Sequence, residues 1–212
     1  MYNFKLSVMK KTIIILIAVV LIPFFGVTQT IENLDYISSF NDGVAAIKKD
    51  NQWGFINKDG DIVVNFRKDL VTTKSKDGNY PIFKDGRCLI VNKKNDISYF
   101  GYINTSGKTV IEPRFLNATN FDNNIATVLE LTKEETGKNP ALGKNVVFYK
   151  YFEVTIDTSG SIKNYLTVKG VNVVLDKDFL RQPPKFTSKQ ISDNLVAVKN
   201  EKGKWTIKKI IE

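Results

Sequence analysis

The chain has 212 residues, 31 of them lysine or arginine and 22 aspartate or glutamate, for a formal net charge of +9. Hydrophobic and charged fractions of 42% and 25% place it among ordinary globular proteins, long enough for one well-buried core. It has no histidine and a single cysteine, Cys88, which excludes Ser-His and Cys-His catalysis, the commonest metal ligand and any internal disulfide.

The N-terminal segment differs from the rest. Met9-Lys10-Lys11 precede an apolar run from Thr12 to Ile22 that Pro23 closes. A basic end, an apolar run and a helix breaker match a secretory signal peptide, since a spanning helix needs roughly 20 apolar residues. Residues 1–29 are therefore read as a signal helix, with Met9 a second candidate start, and the chain as exported, whether periplasmic, outer-surface or secreted. An uncleaved anchor is the alternative, because Phe24 and Phe25 lengthen the run and Gly26-Val27-Thr28-Gln29-Thr30 is a poor small-residue cleavage site. No cysteine follows the run to carry a lipid.

Residues 30–212 read as one β-repeat domain whose plainest unit runs from Phe40 to Phe66. Asp42-Gly43 makes a turn, Val44 to Lys48 a strand of small and apolar residues, Trp53-Gly54-Phe55-Ile56 a second strand, Asn57-Lys58-Asp59-Gly60 a turn and Ile62-Val63-Val64 a third strand. The first half recurs at Asp85-Gly86-Arg87-Cys88-Leu89-Ile90, Asn123-Asn124-Ile125-Ala126-Thr127-Val128 and Asp193-Asn194-Leu195-Val196-Ala197-Val198. Gly, Gly, Asn and Asn at the second position are the residues that best tolerate a left-handed backbone, so one turn geometry is expected four times. Phe40, Phe83, Phe121 and Ile191 precede the turns as anchors. Ala45/Ile47, Cys88/Ile90, Ala126/Val128 and Val196/Val198 share a face by period two, which places Cys88 inward as a small hydrophobe.

The second half recurs without a gap from Phe100 to Ile111, as a turn alone at Asp157-Thr158-Ser159-Gly160, and in shortened form at Trp205-Thr206-Ile207. Gly54 and Gly101 predict a bulge or a backbone passing close by, with Trp53, Phe100 and Trp205 buried beside it. The copies fall near 40–66, 83–115, 121–162 and 191–212.

On these residues the chain resembles the WG-repeat (KWG) proteins, whose unit reads aromatic-x-x-Gly, a small-residue strand, Trp-Gly-aromatic-Ile-Asp-x-x-Gly and an apolar pair. Phe40 to Phe66 carries nearly the whole pattern, with Asn57 for Asp. Phe83 to Phe115 carries it with Phe100 for Trp. Copies three and four depart, with Glu153-Val154 at the Trp-Gly position and Thr206 at the Gly position. The resemblance implies an all-β fold of successive antiparallel hairpins, curved or partly closed, and implies little about activity.

Two stretches interrupt the repeats. Leu131 to Asn145 reads as an extended hairpin tip, and residues 161–185 as one added hairpin around Lys169-Gly170, followed by an extended connector at Pro183-Pro184. Insertions of this kind usually project from one face of a repeat array.

Catalytic signals are sparse. Glu134-Glu135 lies in a solvated stretch, Asp176 and Asp178 flank Lys177, and Asp42, Asp85 and Asp193 are explained by their turns. No metal site, cofactor or phosphate-binding loop is implied. The reading is a non-enzymatic binding scaffold of the cell envelope or exterior; a carboxylate-dependent hydrolase and a purely structural envelope protein are the alternatives. Leaving out Lys5, Lys10 and Lys11 reduces the basic residues to 28 against 22 acidic ones, a net charge of +6. Lysines follow each small-residue strand: Lys48 and Lys49, Lys93 and Lys94, then Lys199, Lys202 and Lys204. Stacked hairpins would align them as a basic rim for an acidic protein surface or an anionic envelope polysaccharide. No basic helix or aromatic platform suggests nucleic acid, and membrane contact is expected only through an uncleaved N-terminal segment.

Overall fold

The computed structural model describes residues 30–138, 143 and 145–210, so the expected signal helix lies outside the described residues. The first unit is an antiparallel sheet of β1 (Tyr36–Asn41), β2 (Val44–Lys49), β3 (Gln52–Asn57) and β4 (Ile62–Arg67), paired in that order. Two of its turns have two residues each, Asp42-Gly43 and Asp50-Asn51, with φ of 49° and 78° and of 49° and 59°. Paired positive φ angles give the type I′ twist that matches the strands they join. The third turn is built differently. The Asn57 Oδ1 accepts from the Asp59 and Asp61 amides at 3.0 and 2.8 Å, and Gly60 donates to the Asn57 carbonyl.

The small hairpin of β5 (Thr73–Ser75) and β6 (Gly78–Tyr80) precedes the second unit, and nothing in the repeat pattern foretold it. The second unit is β7 (Cys88–Lys94), β8 (Ile97–Ile103) and β9 (Thr109–Phe115); the third is β10 (Ile125–Lys138), β11 (Asn145–Asp157), β12 (Ile162–Tyr165) and β13 (Val171–Val173). The fourth is β14 (Ser188–Ser192), β15 (Leu195–Lys199) and β16 (Trp205–Lys209). In units two and three the chain leaving the preceding unit supplies the first strand, where Leu70 bridges Ile90 and Ala118 bridges Val128. The ladder register is the same in all four copies. Ile47, Ile90, Val128 and Val198 lie opposite Gly54, Gly101, Val154 and Thr206.

Both faces of the middle sheets are buried. Cys88 and Ile90 face the first unit, with Val44, Ala46, Phe55 and Phe83, whereas Leu89, Phe100 and Tyr102 face the third, with Phe121, Ala126 and Val128. Ile125 and Leu166 meet Val196 and Val198 of the fourth. Between units, one aromatic edge contact is used twice: Phe83 stands on Phe55 with ring centroids 4.6 Å apart, and Phe121 on Tyr102 at 4.8 Å. Edge-to-face pairs contribute about 0.5–1.5 kcal/mol beyond their buried area.

The turns also touch. Asp42 Oδ2 accepts from the Gly86 amide at 2.9 Å, and Asp85 Oδ2 from the Asn124 amide at 2.8 Å. Arg67 and Arg114 donate to the carbonyls of Gly107 and Gly160 in the next unit's Asx turn, at 2.9 and 3.0 Å. The aspartates therefore join one repeat to the next, a role that their place in a single turn does not reveal.

The structure corrects the sequence reading at two points in the fold. The turn geometry is shared by three copies, not four: Asp85-Gly86 and Asn123-Asn124 have paired positive φ, but Asp193-Asn194 does not. There the contact is Asn123 Nδ2 donating to Asp193 Oδ1 at 2.6 Å, so no left-handed amide has to be presented. Residues 161–185 do not form a hairpin around Lys169-Gly170. Strands β12 and β13 both pair antiparallel with β11, through Val154–Tyr165 and Tyr151–Val171, as one interrupted strand. The long β11 offers a continuous edge, and the buried Leu166 pulls the chain aside between the two segments. The stretch from Leu131 does extend a hairpin, with β10 and β11 paired from Ile125–Asp157 out to Lys138–Asn145.

The expected close passage at the glycines is present. A Cβ on Gly101 would lie 2.4 Å from the Ile111 carbonyl oxygen and 2.6 Å from the Pro113 nitrogen, and the β8–β9 register shifts there. Two glycine substitutions should thus fail for different reasons. Gly43→Val, with open space around the Cβ position, should lose over about 1 kcal/mol to left-handed strain alone. Gly101→Ala should lose about 1–3 kcal/mol to overpacking. Chemical denaturation measures both, and an unchanged midpoint for either variant would remove the corresponding cause.

Candidate functional site

The expected basic rim divides into parts with different surroundings. Lys48 and Lys49 end β2 half-buried, and the Lys48 ammonium lies 5.7 Å from the Trp53 ring centroid. Lys93 and Lys94 end β7 in solvent, beside the type I′ turn at Asn95-Asp96. Lys199 ends β15. Lys202 and Lys204 sit on the turn to β16, where the Asn200 Oδ1 accepts both their amides at 3.0 and 2.9 Å.

Lys199 and Lys202 belong to a concave surface. A cleft of about 750 Å³ opens between the Leu166–Val171 segment of the third unit and the β15–β16 hairpin of the fourth. Leu166, Thr187 and Val198 line it, and Lys169, Lys199, Lys202 and Lys208 surround it, with Glu201 the one acidic residue of the lining. Lys208 is held by donating to the Leu166 carbonyl at 2.6 Å, and Lys169 reaches Glu201 across 4.0 Å of solvent. Lys204 does not line the cleft. Lys169 and Lys208 escaped sequence reasoning because neither follows a small-residue strand; the only available signal was that insertions project from one face.

The cleft exists because the third unit breaks the repeat rule. Glu153 occupies the position of Trp53 and Phe100, and it is buried. Its Oε1 accepts both the amide and the hydroxyl of Thr187, the hydroxyl at 2.7 Å, while its own amide donates to Thr167 Oγ1 at 3.1 Å. Oε2 is buried without a hydrogen-bond partner among the described residues. Two walls of the cleft are thus fastened to one residue, Thr187 to its carboxylate and Thr167 to its amide. The substitution is visible in the sequence, but its partner, 34 residues away, is not.

Trp205 is the third correction. It is 51% exposed rather than buried, whereas Phe100 at the same repeat position is 8% exposed and Trp53 is half-buried. Phe100 is covered by the following unit; among the described residues nothing follows the fourth. Phe40 and Ile191, the outer anchors, are exposed too, while Phe83 and Phe121 are fully buried. Cys88 lies in the core, where burial pushes its thiol far above the ordinary value and leaves it without nucleophilic character. Among the described residues no group of three or more acidic or cysteine side chains could hold a metal ion.

The sixteen strands among the described residues, all paired antiparallel with the same register returning, define an all-β protein of stacked repeats. The family described as WG containing repeat matches residues 31–53, 53–68 and 100–130, so these segments carry WG repeats. No curated protein and no solved structure matches the chain. The cleft and Glu153 lie beyond the matched segments.

The two aromatic positions separate cleanly in stability. Phe100→Ala should cost about 3–5 kcal/mol. Trp205→Ala should stay within about 0.5 kcal/mol of the parent. Thermal unfolding of the two variants decides between this and an equal role for both, and acrylamide should quench Trp205 more readily than Trp53.

Proposed function

We propose that the protein is a non-enzymatic binding scaffold of the cell envelope or exterior, and that the cleft between the third and fourth units takes an anionic polymer. The carrying observation is four lysines around one cleft against a single carboxylate, Glu201. Fields of like charges around one cleft add over distances comparable to the Debye length, about 8 Å at physiological salt. The apolar floor of Leu166 and Val198 lowers the local dielectric, which strengthens an ion pair formed there relative to one in open water.

Lys48, Lys49, Lys93 and Lys94 extend the same chemistry to the first two units. Strands β2, β7 and β15 each leave the turns at Asp42, Asp85 and Asp193, which puts these lysines and Lys199 at the ends away from those turns. An elongated polyanion is therefore favoured over a small anion. The structural roles of Asp42, Asp85 and Glu153 as acceptors support the non-enzymatic reading, since they are already engaged in holding units together.

Inorganic polyphosphate and polygalacturonate should both bind the full chain at low salt, and both should weaken by about tenfold or more on raising ionic strength well above physiological. Lys169→Gln with Lys202→Gln should abolish most of this binding, and Gln at positions 48, 49, 93 and 94 should reduce it further. Salt-independent affinity, or full binding by the Lys169/Lys202 variant, would reject the cleft.

A further inference from the structure

The outer face of the last sheet has no counterpart elsewhere in the protein. Cross-strand register puts Lys189 beside Ala197, Ala197 beside Ile207, and Lys199 beside Trp205, so these side chains share one face, together with Lys209. In the first two units the residue at the Ile207 position is Phe55 or Tyr102, each covered by the anchor of the next unit. Here Ile207 is 64% exposed and Trp205 51%. A repeat face that no neighbour covers is ordinarily polar, because an open apolar one limits solubility. This sheet instead keeps an indole in solvent and surrounds it with cations. The Lys189 and Lys199 ammonium groups lie 5.2 and 5.4 Å from the Trp205 ring centroid.

Charge selects the occupant. None of these residues, nor Leu195 opposite Lys209, is acidic, so a second copy laid face to face would bring the lysines of two chains together, which is unfavourable. An acidic partner is matched, and the flat indole restricts its kind. The indole face carries negative partial charge and attracts the C–H edges of a ring laid against it. A sugar ring bearing a carboxylate satisfies both requirements, with its C–H face on Trp205 and its carboxylate at Lys189 or Lys199. A polyphosphate has the charge but nothing to stack. Lys199 both lines the cleft and flanks Trp205, so it is shared by the two surfaces.

We propose that Trp205, with Lys189 and Lys199, is a sugar-stacking subsite, which makes the polymer an acidic polysaccharide. The inference rests on the cleft reading for the polymer's path, but it has its own readout. Binding of polygalacturonate and of inorganic polyphosphate to the full chain is measured for the parent, for Trp205→Ala, for Trp205→Phe and for the Lys169→Gln/Lys202→Gln variant. Trp205→Ala should weaken polygalacturonate by about tenfold, in the range that base-on-aromatic stacking spans, and leave polyphosphate within about twofold; Trp205→Phe should recover most of the loss. Polygalacturonate should also shift tryptophan emission to the blue, and the shift should vanish in Trp205→Ala. Equal loss of both polymers, or no loss of either, in Trp205→Ala overturns the stacking subsite even if the cleft variant has lost both. Loss confined to polygalacturonate in Trp205→Ala, with full binding by the cleft variant, upholds the subsite and overturns the cleft. Unchanged thermal unfolding of Trp205→Ala, which removes an exposed side chain, shows that the comparison is between folded proteins.

Discussion

The turn carboxylates carry the arrangement on which the rest of the molecule depends. Asp42 accepts from Gly86 and Asp85 from Asn124, so each of the first two turns holds the amide of the next. The left-handed backbone is what presents that amide outward. A type I′ turn has positive φ at both central residues, which in an L-chain favours glycine, asparagine or aspartate there. Sequence preference, local twist and inter-repeat hydrogen bonding are therefore one requirement seen at three scales.

Packing follows from the same stacking. Once two turns are in contact, the anchor before the second turn falls on the aromatic two residues beyond the Trp position of the first unit, giving the Phe55–Phe83 and Tyr102–Phe121 pairs. The bulge over Gly101 bends β9, and Ile111 then packs against Gly160, whose Cβ position is 3.2 Å from the Ile111 side chain. Stability is thus spread over interfaces along the stack, as expected of a repeat array, with a further cluster in which Ile97 of the second unit joins Leu129 of the third and Leu180 of the connector.

The third unit shows what happens when one element of the rule is replaced. With Val154 in place of glycine, the register runs unbroken from Val154–Tyr165 to Thr155–Asn164, and the shift found at Gly54 and Gly101 is missing; only the second shift, between Thr155 and Ile156, is kept. With Glu153 in place of an aromatic, the interior needs hydrogen-bond donors, and Thr187 of the connector provides them. The fourth unit is consequently fastened through a connector as well as through its turn, and the space beside that fastening is the basic cleft. Departure from the repeat and the appearance of a concave, charged surface have the same origin.

Sequence alone determined the strand class, the repeat register and the inward face, because period-two alternation and turn chemistry are local properties. Cys88 and Ile90 in one core and the close passage over Gly101 were legible on that basis. It also marked Lys199 and Lys202 as part of a basic feature, although it could not separate them from Lys204, which lies outside the cleft. Only the tertiary structure decided which copies of a position are buried. Trp53, Phe100 and Trp205 share a place in the repeat, yet exposure depends on whether another unit lies in front, a property of the stack rather than of the residue. It alone brought Thr187 to Glu153 and Lys169 to Glu201, since those contacts join segments with no common pattern. It decided too that β12 and β13 share one edge of β11, because pairing goes to whichever edge is free and no local signal encodes that.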